Sequence, residues 1–162
     1  MGTITPPPGN LIYPRQVEFN TVNGKIHIVT LYVDTAAIVK PLQYQYANFK
    51  QGASTSNEDY TINVRKGDIV IWRGEPNLNP DDVVNISAIH HENGRMYFGR
   101  NHLRGNGDDP EIVIGTIKKG PLTSEPNDPK NIEKYSVFFT VIHNGVQRNG
   151  TFHIDPKLCA NN

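Results

Sequence analysis

His90, His91 and Glu92 stand side by side in this chain, and His102 follows close behind. Imidazole and carboxylate are ligands for zinc and copper, so these residues are the first place to look for metal chemistry. Their spacing argues against one shared ion. Neighbours on a strand point to opposite faces, so His90 and His91 diverge unless a bulge intervenes. Alternation puts His90 on the side of Val84, Ile86 and Ala88, at the edge of a core. A structural or solvated role is expected for His90, His91 and His102. Metal binding is the lesser reading, and no cofactor is expected. His27, His143 and His153 fall on other segments with no readable common point.

Nucleophilic catalysis needs Ser, Cys or Thr beside a histidine that is itself oriented. Ser87 is near His90 in sequence but falls on the opposite strand face, and no Gly-x-Ser-x-Gly elbow exists. Gly105 to Glu111 clusters carboxylates and glycine, but the spacing fits no calcium loop and reads as a turn. Gly99 to Gly105 is basic and Gly-flanked, yet it does not lead from a buried strand into a helix, as a phosphate loop would. Tyr44, Tyr46 and Trp72 supply aromatic surface of the kind that stacks on sugars, so a glycan platform stays open. No set of residues nominates a catalytic centre, and no enzyme activity is expected.

The elements that must hold these residues are strands. Candidates fall at residues 16–22, 25–33, 42–49, 59–66, 69–73, 83–90, 95–99, 111–118, 134–143 and 146–154. Gly, Asn, Asp and Pro clusters separate them, the pattern of an all-β sandwich or barrel. Only Asp34 to Val39 suits a helical turn, with Asp34 as its cap. Tyr60 to Val64 alternates, Gly67-Asp68 makes a corner, and Ile69 to Trp72 is apolar throughout, so the second strand is buried more evenly than the first. Asn144-Gly145 predicts a two-residue hairpin, because both residues accept positive φ. That register pairs His143 with Val146, Phe139 with Gly150 and Val137 with Phe152. It gives a core face of Tyr135, Val137, Phe139, Val141, Phe152 and Ile154. The other face carries Ser136, Phe138, Thr140, Thr151 and His153, where Phe138 is out of place unless something touches it.

The expected fold is thus an antiparallel β-sandwich of about 8–10 strands, Greek-key and cupredoxin-like. Residues 1–14 form an extended Pro-rich arm with Pro6, Pro7 and Pro8, residues 15–158 one sandwich domain, and residues 159–162 a tail holding Cys159. A chain of 162 residues suffices for one self-supporting domain. Its lone cysteine allows no internal disulfide. Sixteen basic and sixteen acidic residues cancel, which removes the basic excess a nucleic-acid binder needs. It also removes the repulsion that keeps copies apart. The N-terminal residues show no signal-peptide pattern, and no apolar run approaches the roughly 20 residues of a membrane span. A cytoplasmic protein with no membrane or nucleic-acid partner is expected.

Three pieces, in order, resemble the bacterial inclusion body protein family of the PixA and AidA type. They are Ile28-Val29-Thr30-Leu31-Tyr32-Val33-Asp34-Thr35, Lys66-Gly67-Asp68-Ile69-Val70-Ile71-Trp72-Arg73 and Phe152-His153-Ile154-Asp155-Pro156, within about residues 25–158. The resemblance implies a bacterial β-sandwich found in intracellular inclusions and carries over no catalytic residue. The Gly-Asp corner also resembles that of cupredoxins, but a blue-copper site needs His and Met behind its cysteine, and Cys159 is followed only by Ala160, Asn161 and Asn162. The functional expectation is a structural protein that associates with itself through the arm (Pro6, Pro7, Pro8) and through sheet edges or faces that include Phe138. A glycan- or small-ligand-binding module is the alternative, and a metal-dependent enzyme comes third.

Overall fold

The computed structural model describes residues 24–105, 111–148 and 150–161. The arm residues Pro6, Pro7 and Pro8 and the strand candidate at 16–22 lie outside them. Eleven strands are described: β1 Ile26–Val33, β2 Ala47–Asn48, β3 Thr61–Val64, β4 Ile69–Pro76, β5 Val83–Gly94, β6 His102–Arg104, β7 Ile112–Thr116, β8 Ile132–His143, β9 Val146–Gln147, β10 Phe152–Ile154 and β11 Lys157–Ala160. The all-β expectation holds. Two short 3-10 turns, Gln43–Gln45 and Pro129–Asn131, complete the regular structure.

The strands form two sheets. Sheet A runs β2-β1-β4-β7, and sheet B runs β3-β11-β8-β5-β6. Strands β11, β10 and β9 line up in turn along one edge of β8, whose other edge is taken by β5. The sheets are mixed rather than antiparallel: β1 pairs with β4 and β3 with β11 in parallel. Alternation within a strand carries no information about the direction of its neighbour, so the sequence reading had no access to this.

The inner faces meet in one core. Val29, Leu31, Val33, Val70, Trp72 and Val113 come from sheet A, and Val84, Ile86, Ile89, Val137, Phe139 and Val141 from sheet B. Trp72 packs edge-on against Phe98 and Tyr135, and its indole N–H donates to the Tyr135 hydroxyl at 3.3 Å. That bond satisfies the polar atom that burial of a tryptophan brings with it. Ile69, Ile71 and Ile112 form a second buried cluster on the opposite side of sheet A. The unbroken apolar run of β4 therefore has both sides covered.

The Gly-Asp corner carries the chain from β3 in sheet B to β4 in sheet A. Gly67 takes φ +92°, open to glycine without cost. The hairpin turn forms at Asn144 and Gly145, with φ 50° and 76°, and His143 pairs with Val146. Beyond Arg148 the register differs from the expected one: Phe152 faces Phe139 and Ile154 faces Val137. Two residues have been absorbed. A shift of two preserves the side-chain parity, so every expected core residue of the hairpin is still buried.

Other expectations are corrected. The segment 42–49 holds a 3-10 turn at Gln43–Gln45 and has only Ala47 and Asn48 in a strand, and residues 95–99 form a turn rather than a strand. The expected tail at 159–162 instead begins inside β11. Cys159 is buried there between β3 and β8, and burial pushes its thiol pKa up, which makes it a poor nucleophile.

Candidate functional site

The outer face of sheet B gathers chemistry that the chain had scattered. The cause is a bulge in β5. Ile86 pairs with Phe139 and Ala88 with Phe138, so Ser87 is an extra residue and parity reverses beyond it. Ile89 takes the inner position, His90 turns outward, and His91 turns to the buried Glu133. The expectation that His90 lies on the side of Val84 and Ile86 is overturned by this one insertion.

Four rings then cross four adjacent strands. His102 on β6 is the cross-strand partner of His90 on β5, with ring centroids 4.2 Å apart. Phe138 on β8 stands 6.5 Å from His90 and 5.4 Å from His153 on β10. A chain of polar contacts runs beside the rings. His90 Nδ1 lies 2.9 Å from Glu92 Oε1, and His153 Nδ1 lies 3.0 Å from Asp155 Oδ1. The Ser136 hydroxyl sits 2.7 Å from each of those carboxylate oxygens. A hydroxyl has a single proton and serves one carboxylate at a time. The contact with His90, followed by that with Ser136, lowers the Glu92 pKa, so this carboxylate is ionised at neutral pH and can only accept. The proton in the His90 contact therefore sits on Nδ1, and in the neutral ring Nε2 keeps its lone pair.

This is not a catalytic triad. Ser136 is buried, and its contacts are to carboxylates rather than to an imidazole that could take its proton. Ser87, exposed on the bulge, is likewise no nucleophile in a described triad.

The remaining candidates separate. Among the described residues no three His, Cys, Asp or Glu side chains are grouped to hold a metal ion. His90 and His102 meet, whereas His91 leaves the set by facing inward. Phe138 is half-buried between two histidines. Trp72 has left the surface altogether: its ring is covered by Phe98 and Tyr135, so it offers no face to a sugar. Tyr44 is exposed, and Tyr46 packs half-buried against the core. Tyr44 lies within a 3-10 turn and Tyr46 caps it, so they share no strand face and the three aromatics make no common platform. Tyr44 does border a surface cleft of about 550 Å³ together with Asn48, Gln51 and Asn57.

Three other histidines meet buried carboxylates. Asp68 accepts the Lys25 and Arg65 N–H groups and contacts His27 at 2.7 Å, fastening the Gly-Asp corner to β1. Burial alone would raise its pKa, but these contacts outweigh it and the pKa falls. Asp82 accepts the Thr35 hydroxyl at 2.5 Å and the Asn144 N–H at 3.1 Å and contacts His143 at 2.6 Å, joining three loops at one end of the sandwich. His143 first and Thr35 second hold its pKa down to about 2. Glu133 accepts the Tyr97 N–H at 2.9 Å and contacts His91 at 2.7 Å. Here burial wins over both contacts and the pKa rises.

Sequence reasoning missed Glu92, Ser136, His153 and Asp155 as members of one group. A signal was present. His90-x-Glu92 and His153-x-Asp155 each place two residues on one strand face by period two. Nothing local marked the bulge that brings the first pair round to the second.

No family model matches this chain, and no curated protein sequence matches it. Solved structures similar to it include the PixA inclusion body protein from Burkholderia cenocepacia, at 12% identity and TM-score 0.49, covering 86% of this chain and 98% of that one. A cysteine protease inhibitor from Entamoeba histolytica aligns at 8% identity and TM-score 0.33, with the same coverage of each chain. At these scores neither neighbour assigns a family or a function. No helix among the described residues is long and apolar enough to cross a membrane.

Proposed function

We propose that this chain is a non-enzymatic structural protein that associates with copies of itself, into an intracellular assembly, through the outer face of sheet B. The observation that carries the reading is the row His102, His90, Phe138, His153, an aromatic band across four strands of an outward face. The phenyl ring gains by leaving water, and a formal net charge of zero sets no long-range repulsion against contact. The described sheet edges are weaker templates. The edge strands β2, β3, β6 and β7 span only two to five residues each, and short edge strands resist pairing with another chain. The arm at residues 1–14 remains part of the proposal as a second contact.

The test is the size distribution of the purified chain by light scattering across a concentration series. Association is expected, and Phe138→Lys should shift it toward monomer. Removing residues 1–14 should weaken it separately. Monomeric behaviour of the unaltered chain at every concentration would overturn the reading.

A glycan-binding module is the second reading, favoured by the cleft beside the exposed Tyr44. Its amides are already engaged: Gln51 donates to Asn57, which donates to the Ala47 carbonyl. Glycan-array binding that is lost in Tyr44→Ala would establish it over the first.

A further inference from the structure

We infer that His90 and His102 form an exposed two-imidazole site for a borderline divalent transition metal of the zinc, nickel and copper class. Three observations carry this. The two histidines are directly paired across β5 and β6, and their rings stand 4.2 Å apart, so both can reach one ion after a turn of the exposed His102 ring. Imidazole nitrogen is a preferred ligand for these metals. The second observation is the orientation of His90. Its Nδ1 lies 2.9 Å from Glu92 Oε1, so Nε2 is the nitrogen left to face a ligand. A metal-ligating histidine almost always has its other nitrogen hydrogen-bonded in this way, which fixes the tautomer and raises ligand basicity. Third, the carboxylate is itself held, because the Ser136 hydroxyl lies 2.7 Å from the same oxygen.

The other histidines contrast with this pair. His91 faces the buried Glu133, and His153 stands beyond the Phe138 ring. The protein supplies two ligands and solvent fills the remaining positions, consistent with no group of three ligands among the described residues. The inference does not depend on self-association, since both ligands come from one chain.

The experiment is titration calorimetry of the full, tag-free chain, diluted to the monomer, with nickel and then zinc chloride alone. One ion per chain is expected. His102→Ala should bind no better than the double variant His90→Ala/His102→Ala, while His153→Ala should bind like the unaltered chain. Glu92→Gln should bind about tenfold more weakly, the cost of losing an orienting partner. Equal binding by His102→Ala and the unaltered chain, or no binding by the unaltered chain, would overturn the site. Circular dichroism of each variant separates lost ligands from lost fold. Because binding is read on dilute monomer, its failure leaves the scattering result untouched, and the reverse also holds.

Discussion

The ends of the sandwich and the outer face of sheet B use the same contact to different ends. Five described histidines meet a carboxylate, at 2.6 to 3.0 Å. At the ends the carboxylate side chains are 5%, 3% and 1% exposed for Asp68, Asp82 and Glu133. On the face they are 44% and 42% exposed for Glu92 and Asp155. A buried carboxylate must satisfy every lone pair within the protein, so it gathers backbone N–H groups and ties loops together. An exposed one shares its lone pairs with water and contributes little to stability, but it still turns a ring. The buried contacts are also the shorter ones, 2.6–2.7 Å against 2.9–3.0 Å, and exclusion of solvent makes them fastenings where the exposed ones only aim a ring.

Substitutions test that division. The largest effect is expected for Glu133→Ala, which strips His91 and the Tyr97 N–H of their buried partner. Denaturant unfolding should show a loss of about 3–5 kcal/mol. Glu92→Ala, on the face, should cost under about 1 kcal/mol by the same measurement. Equal losses in the two variants would end the distinction.

The acid limb of stability gives a second contrast. Asp82 has a folded-state pKa of about 2 against an ordinary 3.8. Its stabilisation is complete above the ordinary value and is lost as pH falls through the folded one. Asp82→Asn should therefore flatten the fall in stability across that window, followed by the fluorescence of the buried Trp72. An unchanged acid limb would remove Asp82 from its place as a fastening.

Smaller effects are expected on the face. Ser136→Ala removes one hydroxyl hydrogen bond and should cost about 1 kcal/mol in denaturant unfolding. His153→Ala, at an exposed position, should stay within about 0.5 kcal/mol. A larger loss from His153→Ala than from Ser136→Ala would make the face a structural element in its own right.

Much of the scaffold was legible because its signals are local. Alternation marked β8, and Asn144-Gly145 marked its hairpin. Even the missed register of β10 left the faces right, since two absorbed residues keep parity. The parallel pairing of β1 with β4 was not legible, because it is decided between segments about forty residues apart by packing that neither encodes alone. The strand at Lys157–Ala160 was hidden by its length and by its place beside the chain end. The site was half legible. His90-x-Glu92 and His153-x-Asp155 were readable as pairs, but their meeting at Ser136 depends on the bulge, which the fit of β5 to β8 sets.

That bulge has a genetic corollary. Ser87 works as a frame marker for side-chain direction: Ala88 to His91 are out of phase with the residues before it, until a second shift at Glu92. Loss of the single Ser87 codon would smooth the bulge away and leave the pairings beyond it unchanged, with His90 still opposite Ser136 and His91 still opposite Tyr135. Ser87 is thus a spare residue: its loss would be silent both for the outer-face contacts and for the His91–Glu133 contact.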